Sequence, residues 1–254
     1  VRNAMVDVDP GVETSFVVVA VLDDREEASD ATDAVLTTAR PEAPVVRTKA
    51  LEAVVIGVST GGPNALADVM PHIAENLPVP VLIVQHMPPV FTRQFAQRLD
   101  RLCALRVVEA TDGVPLQPGT VHLAPGDHHL VIRPGRGTHT TGLHQGPPEN
   151  FCRPAVDPLF RSAVAAYDGA VLGVVLTGMG SDGRNGAGDV RAAGGTVLAQ
   201  DQASSVVWGM PGAVTQAGFA DEVLPLDRVA EAIQRHVAGV VPARSSTVLT
   251  GVNR

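Results

Sequence analysis

Aromatic residues are scarce in this chain: six Phe, one Tyr and one Trp, 3% of 254 residues. Its core must therefore be built from Val, Leu, Ile and Ala, which the 45% apolar content supplies. Such a core suits a parallel sheet covered by helices, because those strands are buried on both faces. Long apolar runs are also lacking. None reaches the ~18 residues of a membrane span, and no signal peptide is legible, so no insertion into a membrane is expected. Only two cysteines occur, Cys103 and Cys152, far apart and outside any C-x-x-C pattern. They read as reduced thiols of a cytoplasmic protein rather than a disulfide framework. Lysine is reduced to Lys49 alone, and the net charge is −8. That balance argues against nucleic acid as a partner, which would call for a basic face.

The acidity is uneven. Residues 1–50 hold ten Asp/Glu and five Lys/Arg, a net of −5, leaving −3 for residues 51–254. This first region contains an apolar run from Phe16 to Leu22, an acidic stretch and the linker-like Arg40-Pro41-Glu42-Ala43-Pro44. We therefore divide the chain into an N-terminal acidic extension and linker (1–50), a main domain (51–240) and a flexible tail (241–254).

Within the main domain, strands and helices alternate. Strands are expected at Ala53–Val58, Val79–Val84, Ala170–Leu176 and Thr196–Ala199. Helices are expected at Pro63–Ala74, Val90–Leu102, Asp157–Ala166, Asp182–Ala193, Trp208–Ala217 and Leu226–Val237. Between Arg106 and Leu143, short runs broken by Gly, Pro and Asp read as an antiparallel hairpin region. The alternation predicts a three-layer α/β fold with a mostly parallel sheet.

The segment Val54-Val55-Ile56-Gly57-Val58-Ser59-Thr60-Gly61-Gly62-Pro63 carries the main chemical signal. It is a G-x-S-x-G turn between a strand and a helix, which would leave the Ser59 hydroxyl exposed beside free N–H groups of the helix start. A tight β–α turn with Ser59 as an N-cap explains the same residues. Gly57–Gly62 could also be a phosphate loop, but it fits neither G-x-x-x-x-G-K-[ST] nor G-x-G-x-x-G.

Active sites of open α/β sheets gather at the carboxyl ends of strands. Ser59 follows the first strand, His86 in Gln85-His86-Met87-Pro88 follows the second, and Asp182 lies in the turn after Ala170–Leu176. A serine needs a histidine to take its proton, and an acid to fix the imidazole. The backbone N–H groups of Thr60 and of the turn around Met179 are candidate oxyanion donors. The order Ser-His-Asp does not fit an α/β-hydrolase, whose acid precedes a late histidine. The late histidine here, His236, lies on a terminal helix, and neither Asp68 nor Glu75 follows a strand. His86 as a packed strand end and Asp182 as a helix cap are the structural alternatives.

Arg153 precedes a helix start and could bind a substrate carboxylate, or could organise that helix with Asp157. His122, His128, His129 and His139 are close in sequence, but no carboxylate or cysteine completes a ligand pattern, so no metal is expected.

The chain closely resembles the catalytic domain of the bacterial chemotaxis protein-glutamate methylesterases. The matching segments are Ile56–Pro63, Gln85–Leu99, Pro118–His129, Gly146–Phe160, Leu176–Gly183 and Met210-Pro211. The resemblance implies a Rossmann-like three-layer α/β/α domain that hydrolyses glutamate methyl esters on chemoreceptors, and in some members deamidates receptor glutamines. It implies Ser59, His86 and Asp182 as the catalytic residues, oxyanion donors at Thr60 and Met179, and no metal or organic cofactor. The implied partners are methylated cytoplasmic helices of chemoreceptors, with a chemotaxis kinase or a separate receiver protein as further candidates. The family's phosphoacceptor receiver domain is not legible in full: Val17–Asp24 resembles only its first strand and acidic pair. If His86 titrates at its ordinary value, activity should fall near pH ~6.5. A non-catalytic adaptor of this fold, a hydrolase of unrelated small esters or amides, and a nucleotide-binding domain are the rival readings.

Overall fold

The central strands at Ala53–Val58 and Val171–Val175 are apolar along their whole length because they lie in the middle layer. A computed structural model describes the backbone of residues 45–46 and 50–241 and the side chains of residues 50–239. The extension and linker before residue 45 and the tail after residue 241 lie outside the described residues. Seven strands form the central sheet: β2 (Ala53–Val58), β3 (Val81–Gln85), β4 (Arg106–Glu109), β5 (Thr120–Leu123), β8 (Val171–Val175), β9 (Thr196–Gln200) and β10 (Glu222–Leu224). Their order is β10-β9-β8-β2-β3-β5-β4, and every neighbouring pair is parallel. A separate antiparallel hairpin is formed by β6 (His129–Arg133) and β7 (Thr140–His144). Two short segments, β1 (Val45–Val46) and β11 (Val240–Val241), pair antiparallel.

The helices are α1 (Gly62–Val69), α2 (Pro89–Leu102), α3 (Val156–Tyr167), α4 (Arg184–Ala192), α5 (Met210–Gln216) and α6 (Leu226–Val237). Strand alternation sorts side chains into two cores. Val54, Ile56 and Val58 face one layer, against Leu66 and Val69 of α1 and Val229 and Ile233 of α6. Val55 faces the other, with Leu159 and Phe160 of α3, Val190 of α4 and Ile132 of the hairpin. The result is the Rossmann-like three-layer α/β/α arrangement expected above.

Two expectations are corrected, and one strand was not foreseen. The helix from Pro63 ends at Val69 and tightens into a 3₁₀ turn, Met70–His72. Pro71 has no N–H with which to continue the α-helical ladder. The region 106–143 is not antiparallel throughout: β4 and β5 extend the main sheet in parallel, and only β6 and β7 form a hairpin. Short alternating runs carry no mark of strand direction, which is set by where the chain crosses over. Finally, β10 was not foreseen, because three half-exposed residues lack a readable period.

The topology selects the site. From β2 the chain steps to β3 on one side, and β8 later arrives on the other. The reversal of direction opens a crevice outside the carboxyl ends of β2, β3 and β8.

Candidate active site

Ser59 stands directly past β2, at the centre of that crevice. Its N–H donates to Thr177 O at 3.0 Å, and Gly62 N–H returns to Ser59 O at 2.8 Å, closing the turn. Gly61 makes the turn possible with φ +82°, a region that L side chains rarely adopt. The side chain of Gln85 ties the two strand ends together, its Nε2 donating to Ser59 O at 3.1 Å and to His86 O at 3.0 Å.

The parallel register Val58↔Gln85 sets Ser59 and His86 on adjacent strand ends, and His86 N–H donates to Val58 O at 3.1 Å. His86 Nε2 donates to Asp182 Oδ2 at 2.8 Å. A carboxylate can only accept, so Nδ1 is the nitrogen left with a lone pair when the ring is neutral. Cys152 Sγ lies 3.5 Å from that Nδ1. Among the described residues no hydrogen bond joins Ser59 Oγ to His86; such contacts are often long before substrate binds.

Asp182 does not cap α4, the structural alternative considered for it. The N-cap of α4 is Gly183, and no side chain caps that helix. Asp182 instead reaches the start of α3, accepting from Val156 N–H at 2.7 Å and Asp157 N–H at 3.2 Å. Asn150 Nδ2 adds a bond at 2.9 Å and Gly183 N–H another at 2.9 Å. Burial disfavours the charge of Asp182, but the His86 contact and these backbone donors outweigh it and hold its carboxyl below the usual range.

The chain that follows β8 passes close to Ser59 at Gly178, between Thr177 and the candidate donor Met179. A Cβ built on Gly178 would lie 2.8 Å from Ser59 Cβ, so only glycine lets the chain after β8 pass this close to the serine. Among the described residues, neither the Thr60 nor the Met179 N–H has an acceptor within the chain.

Arg153 spends its donors inside the protein. Nε and a terminal nitrogen reach Asp127 Oδ1 at 2.9 and 2.6 Å, and the other terminal nitrogen reaches Gly146 O at 2.9 Å. We propose for it a loop-locking role in place of carboxylate capture. The histidines considered for a metal have other surroundings: His129 accepts from Ala155 N–H at 3.2 Å and meets Pro147 O at 3.0 Å. His139 stacks edge-on against Tyr167, and among the described residues no three His, Cys, Asp or Glu side chains are grouped to hold a metal ion.

Sequence reasoning missed Asn150 and the position of Cys152. Asn150 Nδ2 bridges Asp182 and Asp157, the second bond being 3.0 Å. The one available signal was an asparagine in a loop, a residue that tolerates the left-handed backbone found there, φ +48°.

The electrostatics alter the expected pH dependence. Burial by itself would lower the His86 pKa, but the hydrogen bond to Asp182 and the proximity of Cys152 outweigh it and raise the pKa from 6.5 to about 9. A proton acceptor must be neutral, so the rate of the chemical step should climb with pH through 7 and 8 and level off only above about 9. A kcat/KM profile between pH 5.5 and 9.5 checks this; a plateau beginning near 6.5 would show an unshifted base. The raised value also stabilises the fold fully below 6.5, a contribution lost as pH rises through about 9.

A parallel sheet whose carboxyl edge gathers a serine at a strand-to-helix elbow and a histidine bonded to an aspartate has the make-up of a serine hydrolase. Comparison narrows this class. The CheB methylesterase family profile matches residues 54–233, and the chain belongs to that family. It is 59% identical over 189 residues to the protein-glutamate methylesterase/protein-glutamine glutaminase of a Nocardioides species, covering 74% of this chain and 51% of the relative. The Trichodesmium erythraeum protein of the same name is 53% identical over 188 residues, covering 74% of this chain and 53% of its own length. This chain thus spans about half the length of the curated relatives it matches. The crystal structure of the Thermotoga maritima CheB methylesterase catalytic domain superposes with a TM-score of 0.72 at 43% identity, over 74% of this chain and 99% of that one.

Proposed function

We propose that this chain is a protein-glutamate methylesterase that releases methanol from methylated glutamates on cytoplasmic helices of chemoreceptors. We extend the reading to hydrolysis of receptor glutamine amides, as the names of its relatives say of them. The observation that carries it is the His86–Asp182 hydrogen bond of 2.8 Å on the strand end next to Ser59. Among the described residues no helix is long and apolar enough to cross a membrane, in keeping with action at the cytoplasmic ends of receptors.

In the proposed cycle Ser59 Oγ attacks the ester carbonyl while His86 Nδ1 takes its proton, and Asp182 stabilises the imidazolium. The Thr60 and Met179 N–H groups receive the developing oxyanion, each such donor being worth ~3 kcal/mol. The C–O bond to methanol then breaks as His86 returns the proton to the leaving oxygen. Water repeats the sequence on the acyl-enzyme, freeing glutamate and Ser59.

The test is methanol release from a methylated chemoreceptor fragment. Continuous release with matching loss of methyl groups from the fragment is the expected result. A folded protein that binds the fragment without releasing methanol would mark an adaptor, and turnover confined to small esters would mark a different hydrolase.

A further inference from the structure

Phe151 is the most exposed large apolar residue described, at 102% of its reference accessibility, and its backbone sits at φ +63°. Both facts oppose folding. A bulky residue in the left-handed region is an outlier where glycine or asparagine would be at ease. A phenyl ring wholly in water gains nothing from the core. Yet its neighbours hold it in a defined place. Asn150 is anchored to Asp182 and Asp157 at 2.9 and 3.0 Å. Cys152 has its sulfur 3.5 Å from His86 Nδ1, and its N–H and carbonyl pair with Glu149 at 2.8 and 3.1 Å. The ring therefore projects from a braced turn, one residue from a contact to each of the two triad partners of Ser59.

Other exposed apolar side chains lie on the segments that carry or adjoin the site residues. Val90 (69%) and Phe91 (54%) begin the helix that follows His86. Met179 (66%) follows Gly178, and Val206 (69%) packs where a side chain at Gly61 would be. Of the seven large apolar residues exposed among the described residues, these four and Phe151 belong to segments that form the site. A small ester spans too little area to cover these side chains, whereas a protein that presents a methylated side chain has surface enough to cover them.

We infer that Phe151 is a specificity residue that packs its ring against an apolar side chain of the substrate protein beside the methylated glutamate. This rests on the esterase reading above. The braced turn couples recognition to chemistry: a substrate seated on the ring lies against the loop that holds Asp182 and flanks His86.

The test compares kcat and KM for a methylated chemoreceptor fragment and for p-nitrophenyl acetate in wild-type protein, F151A, F151N and F151L. F151A should lose about tenfold or more in kcat/KM on the receptor fragment, mostly through KM, the range commanded by burial of one phenyl ring. Turnover of the small ester should change by less than about twofold. F151N relieves the backbone but lacks the ring, so it should match F151A, while F151L should recover part of the loss. Melting temperatures at or above wild type would show that the variants fold. Equal losses on both substrates, or no loss on the fragment, would overturn the proposal. Small-ester turnover by the wild type with none on the fragment would instead overturn the protein-substrate reading, and the proposal with it.

Discussion

Replacing Ser59 with alanine is expected to reduce methanol release by at least ~10⁴-fold while leaving the fold intact. Among the described residues, every hydrogen bond of residue 59 is made by its backbone: N–H to Thr177 O, and the carbonyl to Gly62 N–H and Gln85 Nε2. Alanine keeps those bonds and keeps the Cβ against Gly178. Only Oγ is lost, and among the described residues it accepts or donates no hydrogen bond to His86. The melting temperature should therefore stay within about 3 °C of wild type. Residual turnover from the oxyanion donors alone is the expected floor. An unfolded S59A protein would show the serine to be structural, and an active one would require another nucleophile.

Asp182→Asn should damage both activity and stability. The carboxylate accepts His86 Nε2 and Val156 N–H on Oδ2, and Asn150, Asp157 N–H and Gly183 N–H on Oδ1. An asparagine must turn its NH₂ toward one of these sets. Either way it meets a fixed backbone N–H that cannot change from donor to acceptor. Leaving such a buried donor unmet costs about 1–3 kcal/mol, or several degrees of melting temperature. The imidazole loses its ion partner and the preference for protonation at Nε2, and kcat should fall by about 10⁴, the order established for an orienting aspartate turned into an amide. Kinetics and thermal melts on one preparation separate the two effects. Wild-type turnover would leave Asp182 as a clamp between loops only, and an unchanged melting temperature would refute the clamp. Since its pKa is held low, the stability it contributes is present above the ordinary carboxylate value of 3.8 and lost as pH falls through the lowered folded value.

Much of the architecture was legible because buried parallel strands write themselves as unbroken apolar runs. Ala53–Val58 and Leu226–Val237 have the bounds read from pattern alone. The three strand ends that carry Ser59, His86 and Asp182 were legible for the same reason, since a strand that stops at a polar residue marks its own carboxyl end. Other features were not. Strand direction in β4 and β5 depends on crossovers, β10 is too short to show a period, and the break at Met70 comes from Pro71 inside an otherwise regular helical face.

The amino-acid sequence by itself determined the layers, the elbow and the residue types of the site, because periodicity and turn chemistry are local and act within a few residues. Only the tertiary structure decided what those residues do to one another. It spent Arg153 on Asp127, set Asn150 across Asp157 and Asp182, laid the Cys152 sulfur against His86 and left Phe151 in water. These contacts join positions from 7 to 66 residues apart. They turn on side-chain direction and burial, which exist only once the sheet has brought its strand ends together.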